Sequence, residues 1–164
     1  AIAWKADISE IGNVKFLEAL IDPKPAVQYS TSGQGLLGNE PDVQTFSLNT
    51  ANNAFFGLHF ILPRTDSAFS KRDKVKKILD SLKKESLSDE QIDLAKSRLD
   101  FNLKEQQTAR HSRLKHFIDS FSTGVSEIEP NNVSVDKALK ILDSKPNMIF
   151  AGDTYKLPYM DEFF

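Results

Sequence analysis

The stretch TFSLNTANNAFFGLHFIL, residues 45 to 62, decides the fold class. From Thr45 to Thr50, Phe46 and Leu48 alternate with Thr45, Ser47 and Asn49, and after Ala51-Asn52-Asn53 the same period returns at Phe56, Leu58, Phe60 and Leu62. A period of two puts successive side chains on opposite faces of a strand, so the two runs read as the arms of a hairpin. Phe55 and Ile61 make the second arm apolar on its other face too. A strand apolar on both faces fits the interior of a sheet better than its edge.

Upstream, Ala1-Ile2-Ala3-Trp4-Lys5-Ala6 reads as a further strand; it opens without Met or a preceding turn, so a fragment of a longer two-domain chain is expected. Val14, Leu17 and Ile21 recur at helical spacing between Gly12 and Ile21, and Pro23 and Pro25 stop that helix. Asp22 to Asp42 is rich in Pro, Gly, Ser and Gln and reads as a long loop, with Gln28 to Asn39 expected to be the most mobile internal stretch.

Downstream, four helical stripes follow. Val75, Ile78, Leu79 and Leu82 form the first, with basic residues from Lys71 to Lys84 around it; Asp73 and Asp80 interrupt them, so they read as a solvated helix face. Ser88 with Gln91 has the form of a capping box and opens a second helix through Ile92, Ala95, Leu99 and Leu103. The third stripe, Leu114, Phe117, Ile118 and Phe121, ends at Gly124, a C-cap residue. Ser134 caps a fourth through Val135, Ala138, Leu139 and Leu142, after which Met148-Ile149-Phe150-Ala151 returns to strand. The order β-α-ββ-ααα-α-β defines an α+β domain over residues 1–164, a mostly antiparallel sheet with helices packed on one face.

Composition narrows the function. Lys+Arg 21 against Asp+Glu 23 gives a net charge of −2, which lacks the basic footprint of a nucleic-acid binder. No apolar run approaches the ~20 residues of a membrane span. Cys 0 excludes disulfides, cysteine-ligated zinc, iron–sulfur clusters and a thiol nucleophile. Phe 12 is high for this length and implies either a ring-rich core or an apolar surface that something else covers.

Chemical motifs are few. Gly33-Gln34-Gly35-Leu36-Leu37-Gly38 matches G-x-G-x-x-G, but it follows no apolar strand, opens no helix and has no acidic residue about 20 positions on, so it reads as loop. His59, His111 and His116 lack the i, i+4 spacing of a helical zinc pair, and the last two sit among Arg110, Arg113 and Lys115. Asn132-Val133-Ser134 is formally a glycosylation acceptor, yet Ser134 already serves as a helix cap. No catalytic, cofactor or metal residue is assigned, and neither bound zinc nor peptide hydrolysis is expected of this chain.

The whole chain resembles the C-terminal domain of the pitrilysin-type zinc peptidase fold, the family of mitochondrial processing peptidase and of the core proteins of ubiquinol–cytochrome c reductase. AIAWKA is similar to the domain-opening strand, GNVKFLEALI to the helix after it, and SLSDEQIDLAKSRLDFNLKEQ to an amphipathic helix with a Leu-Ser start. The hairpin and the ending AGDTYKLPYMDEF, residues 151 to 163, resemble the core protein two subfamily most. YSTSGQGLLGN is shorter than the glycine-rich stretch of processing peptidase and lacks its Arg. The family's inverted zinc motif belongs to an N-terminal domain outside these residues, so no catalytic residue carries over.

The resemblance implies a structural core subunit on the matrix side of the inner mitochondrial membrane, bound peripherally. Its partners would be the paralogous core protein one, other subunits of the respiratory complex and its own N-terminal domain. The alternatives are a non-catalytic domain of a processing-peptidase-type zinc metallopeptidase and an α+β interaction domain of unrelated ancestry. Leu157, Tyr159, Met160, Phe163 and Phe164 are the candidate interface, being too apolar to stand in water after the last strand.

Overall fold

A computed structural model describes residues 1–21, 43–60, 72, 73, 75–77, 79, 80, 82, 87–108, 110–125 and 128–151, with the backbone alone at 110–112, 115, 116 and 119. Four antiparallel strands, β1 (Ile2–Asp7), β2 (Val43–Asn49), β3 (Asn53–Phe60) and β4 (Asn147–Met148), lie in the order β2-β3-β1-β4. The hairpin is β2-β3, and β3 is an interior strand, as its two apolar faces imply. Its turn is one residue earlier than the sequence suggests: Asn53 already belongs to β3, and Thr50 closes the loop by donating its N–H to the Asn53 carbonyl at 2.8 Å.

Register decides which residues face the helices. Thr45 pairs with Leu58, Ser47 with Phe56 and Asn49 with Ala54, while Trp4 pairs with Phe56 from the other side. Directly paired residues share a face, so the core side carries Ile2, Trp4, Ala54, Phe56 and Leu58, all buried, with the Trp4 and Phe56 rings stacked at 5.9 Å. Of the apolar residues of β2, Val43 is buried on the core side, whereas Phe46 and Leu48 lie on the opposite, outer face.

Helix α1 (Ile11–Ile21) packs on the core face of the sheet and is buried nearly all round, from Ile11, Val14, Phe16 and Leu17 to Ile21. Before it, Asp7 ends β1 and caps the 3-10 turn Ile8–Glu10, accepting from the Ser9 N–H at 2.9 Å and the Ser9 hydroxyl at 2.8 Å. These bonds favour the ionised carboxylate and hold it below the usual aspartate range.

Residues 72, 73, 75–77, 79, 80 and 82 are helical, and Val75, Leu79 and Leu82 join the core. Helix α2 (Asp89–Thr108) opens with the capping box read from the sequence: the Gln91 N–H donates to Ser88 Oγ at 3.3 Å and the Ser88 N–H to Gln91 Oε1 at 3.1 Å. It packs on α1 through Ala95, Leu99 and Leu103, and its buried Arg98 donates from Nη1 to the Ala19 carbonyl in the last turn of α1 at 3.4 Å. A cation belongs there because the C-terminal carbonyls carry the negative end of the helix dipole.

Helix α3 (Arg110–Thr123) packs against α2 and stops at Gly124, whose positive φ of 71° and N–H bond to the Ser120 carbonyl at 2.9 Å complete the expected cap. Helix α4 (Val135–Ile141) is capped by Ser134, which accepts from the Lys137 N–H at 3.4 Å, and it packs on α1. The final strand is shorter than Met148 to Ala151: only Asn147–Met148 pair with β1, and the Ile149 N–H adds one bond to the Ala1 carbonyl. The class is α+β, with the helices on one face of the sheet.

Candidate interaction surface

Helix α3 forms because its apolar residues recur at i, i+3, i+4 and i+7, but the stripe does not enter the core. Leu114, Phe117, Ile118 and Phe121 are all exposed, Phe117 by 68% and Phe121 by 86%. A helix held only through one neighbour buries only the strip facing it, and α3 meets the rest of the described fold chiefly through α2. Phe101 on α2 is a further half-exposed ring. Four large apolar side chains in one stripe exceed the scattered single exposures of an ordinary surface.

The outer face of the sheet is a second apolar surface. Leu48 is exposed with Phe46 and Phe55 half-buried beside it, and Ile149 is exposed at the opposite edge of the sheet. Phe46 is paired with Gly57 and its ring lies over that residue, so closely that a Cβ at position 57 would fall within the ring's own envelope. The missing side chain at Gly57 therefore seats an aromatic ring flat on the sheet. His59 is exposed on the same face, which fits a solvated histidine.

Three polar features position these surfaces. Glu18 of α1 is buried and accepts from the Ser47 hydroxyl at 2.9 Å, fixing the polar side of β2 toward the helices and hence Phe46 and Leu48 away from them. Asn13 is buried between α1 and α4; it donates to the Glu10 carboxylate and accepts from the Ser134 N–H at 3.1 Å. Between α1 and α2 a shallow groove lined by Lys15, Glu18, Asn102, Glu105 and Gln106 mixes both charges and converges on no reacting centre.

The candidate residues Leu157, Tyr159, Met160, Phe163 and Phe164 lie outside the described residues, as do the glycine-containing segment 33–38 and the stretch 28–39. The apolar stripe of α3 was legible as a helix face but not as a surface. The phenylalanine excess was the signal for it, and Phe46, Phe101, Phe117 and Phe121 are where part of that excess stands.

A zinc ion, which the resemblance to a zinc peptidase fold raises, finds no ligand set among the described residues. Among the described residues no three His, Asp or Glu side chains gather to hold a metal ion. His59 lies on the outer face of the sheet, whereas His111 and His116 belong to α3, five positions and so about 140° apart around it.

No protein-family model matches the sequence, and no curated protein is similar to it. Solved structures match in fold. A protease from Helicobacter pylori superposes with a TM-score of 0.58 and 13% identity over 87% of this chain and 37% of that one. The inactive peptidase domain of a proposed zinc protease from Bordetella parapertussis superposes with a TM-score of 0.56 and 12% identity over 86% of this chain and 82% of that one. A protease assigned to the insulinase family, from Yersinia pestis, reaches only 0.46 at 12% identity and adds nothing to the first two. This chain spans little more than a third of the length of the Helicobacter protease. What it shares with these proteins is a fold: it is a peptidase-like α+β domain.

Proposed function

We propose that this domain is a non-catalytic structural module, the C-terminal domain of core protein two of mitochondrial ubiquinol–cytochrome c reductase. The observation that carries the reading is the open apolar outer face of the sheet, with Leu48 exposed beside the Phe46 ring at one edge and Ile149 exposed at the other. Such a face on a peptidase-like fold suits burial against another subunit. Core protein one and the chain's own N-terminal domain are the partners this reading assigns, on the matrix side of the inner membrane. The likeness to a peptidase domain described as inactive is in keeping with it, and the sequence resemblance of the hairpin and of residues 151–163 selects the branch.

Native electrophoresis of mild-detergent extracts from cells carrying a tagged chain tests the reading. The tag is expected to migrate with the haem absorbance of the respiratory complex and to leave the membrane without detergent only at alkaline pH. Migration as a soluble matrix heterodimer with peptidase activity would replace the reading by the non-catalytic half of a zinc peptidase. That second reading has its own support in the likeness to a Helicobacter protease that is much longer than this chain.

A further inference from the structure

We infer that the exposed stripe of α3 is a self-association surface, on which a second copy of this chain docks its own α3 antiparallel across a two-fold axis. Leu114, Phe117, Ile118 and Phe121 occupy a single arc of about 100° on the helix. All four stand in solvent, and α3 meets the rest of the described fold chiefly through α2.

The order of side chains along the stripe selects the occupant. A two-fold interface uses the same patch on both copies, so each residue must suit the one it meets from that patch. An axis between Phe117 and Ile118, near the middle of Arg110–Thr123, sets Leu114 of one copy opposite Phe121 of the other, and Phe117 opposite Ile118. Every contact then joins a ring to an aliphatic chain, the alternation of bulk that lets two faces interdigitate. Parallel helices would instead set ring on ring and leucine on leucine. In the antiparallel register Arg113 falls opposite Ser122 and meets no like charge.

The surface is also large enough. The four side chains expose roughly 500 Å² between them. Dimer interfaces are about 65% apolar, so the polar rim of the stripe brings the contact to roughly 800 Å² a side, the size of a stable association. The outer face of the sheet suits a second copy less, because its exposed side chains Leu48 and Ile149 stand at opposite edges. The inference is independent of the proposed respiratory role, which rests on that face.

Sedimentation velocity of the full chain, from low micromolar to near-millimolar concentration, is expected to show a monomer–dimer equilibrium. Phe121→Arg replaces an exposed ring that the fold does not bury, and it should weaken association roughly thirtyfold or more. Leu48→Arg on the sheet should leave the equilibrium unchanged. A chain monomeric throughout, a dimer that Phe121→Arg leaves intact, or one that Leu48→Arg abolishes would each overturn the inference. The absence of cysteine makes the register testable as well. Under mild oxidation, a mixture of Leu114→Cys and Phe121→Cys chains is expected to give a disulfide-linked dimer of the two, while either chain alone stays largely reduced. No mixed bond, or like chains linking as fast as the mixture, would also overturn it.

Discussion

At the scale of single residues, polar side chains decide how the layers meet. Asn13 joins the first turn of α1 to the cap of α4, because its amide serves Glu10 on one side and the Ser134 N–H on the other. Asn13→Ala leaves the Ser134 N–H without that acceptor. The expected cost is about 1–3 kcal/mol, read as a lower urea midpoint with unchanged slope. Nothing in the sequence signals this role: the partners are 121 positions apart, and only the packed fold brings them together. The caps at Ser88, Gly124 and Ser134 are the opposite case, legible because each acts on backbone groups three or four residues away.

At the scale of elements, the hairpin was legible as a hairpin and only half legible in orientation. Alternation shows that Phe46 and Leu48 share a face, but not which face meets the helices; cross-strand register with Ala54 and Phe56, and the Glu18–Ser47 bond, turn them outward. Burying the apolar side of β2 would have exposed Ser47 and left Glu18 without its hydroxyl partner. The Phe46 ring on Gly57 gives this arrangement a measurable signature. Gly57→Ala must displace the ring and should destabilise by about 1–3 kcal/mol, the usual range for forcing an extra carbon into a filled place. Combining it with Phe46→Ala should restore most of that loss relative to Phe46→Ala alone. A double-mutant cycle by chemical denaturation checks this, and a penalty that persists without the ring would place the cause in the β3 backbone instead.

At the scale of the whole molecule, the order of elements and the α+β class could be read from periodicity alone, whereas the fate of each apolar stripe could not. The stripes of α2 and α3 both follow the helical period, yet Ala95, Leu99 and Leu103 are buried and Leu114, Phe117, Ile118 and Phe121 are exposed. Periodicity reports that a helix has an apolar side, and tertiary position determines what that side meets. The chemistry of the chain is also a property of its whole donor set. With no cysteine, with His59 on the sheet and with His111 and His116 five positions apart on α3, the purified protein is expected to hold well under one zinc per chain by metal analysis after dialysis, and to leave unstructured peptides uncut. One tightly held zinc per chain would require a site assembled from donors that share no ligand spacing in the sequence. The outermost position of α3 has an energetic corollary. No described side chain of that helix belongs to the central cluster, and its packing on the described residues is chiefly with α2. The free energy of local opening follows how much apolar packing must be broken, not how long the helix is. Among the described elements, helix α3 is thus expected to lose its amide protons to solvent sooner than α1 and α2, which native-state hydrogen exchange reads directly.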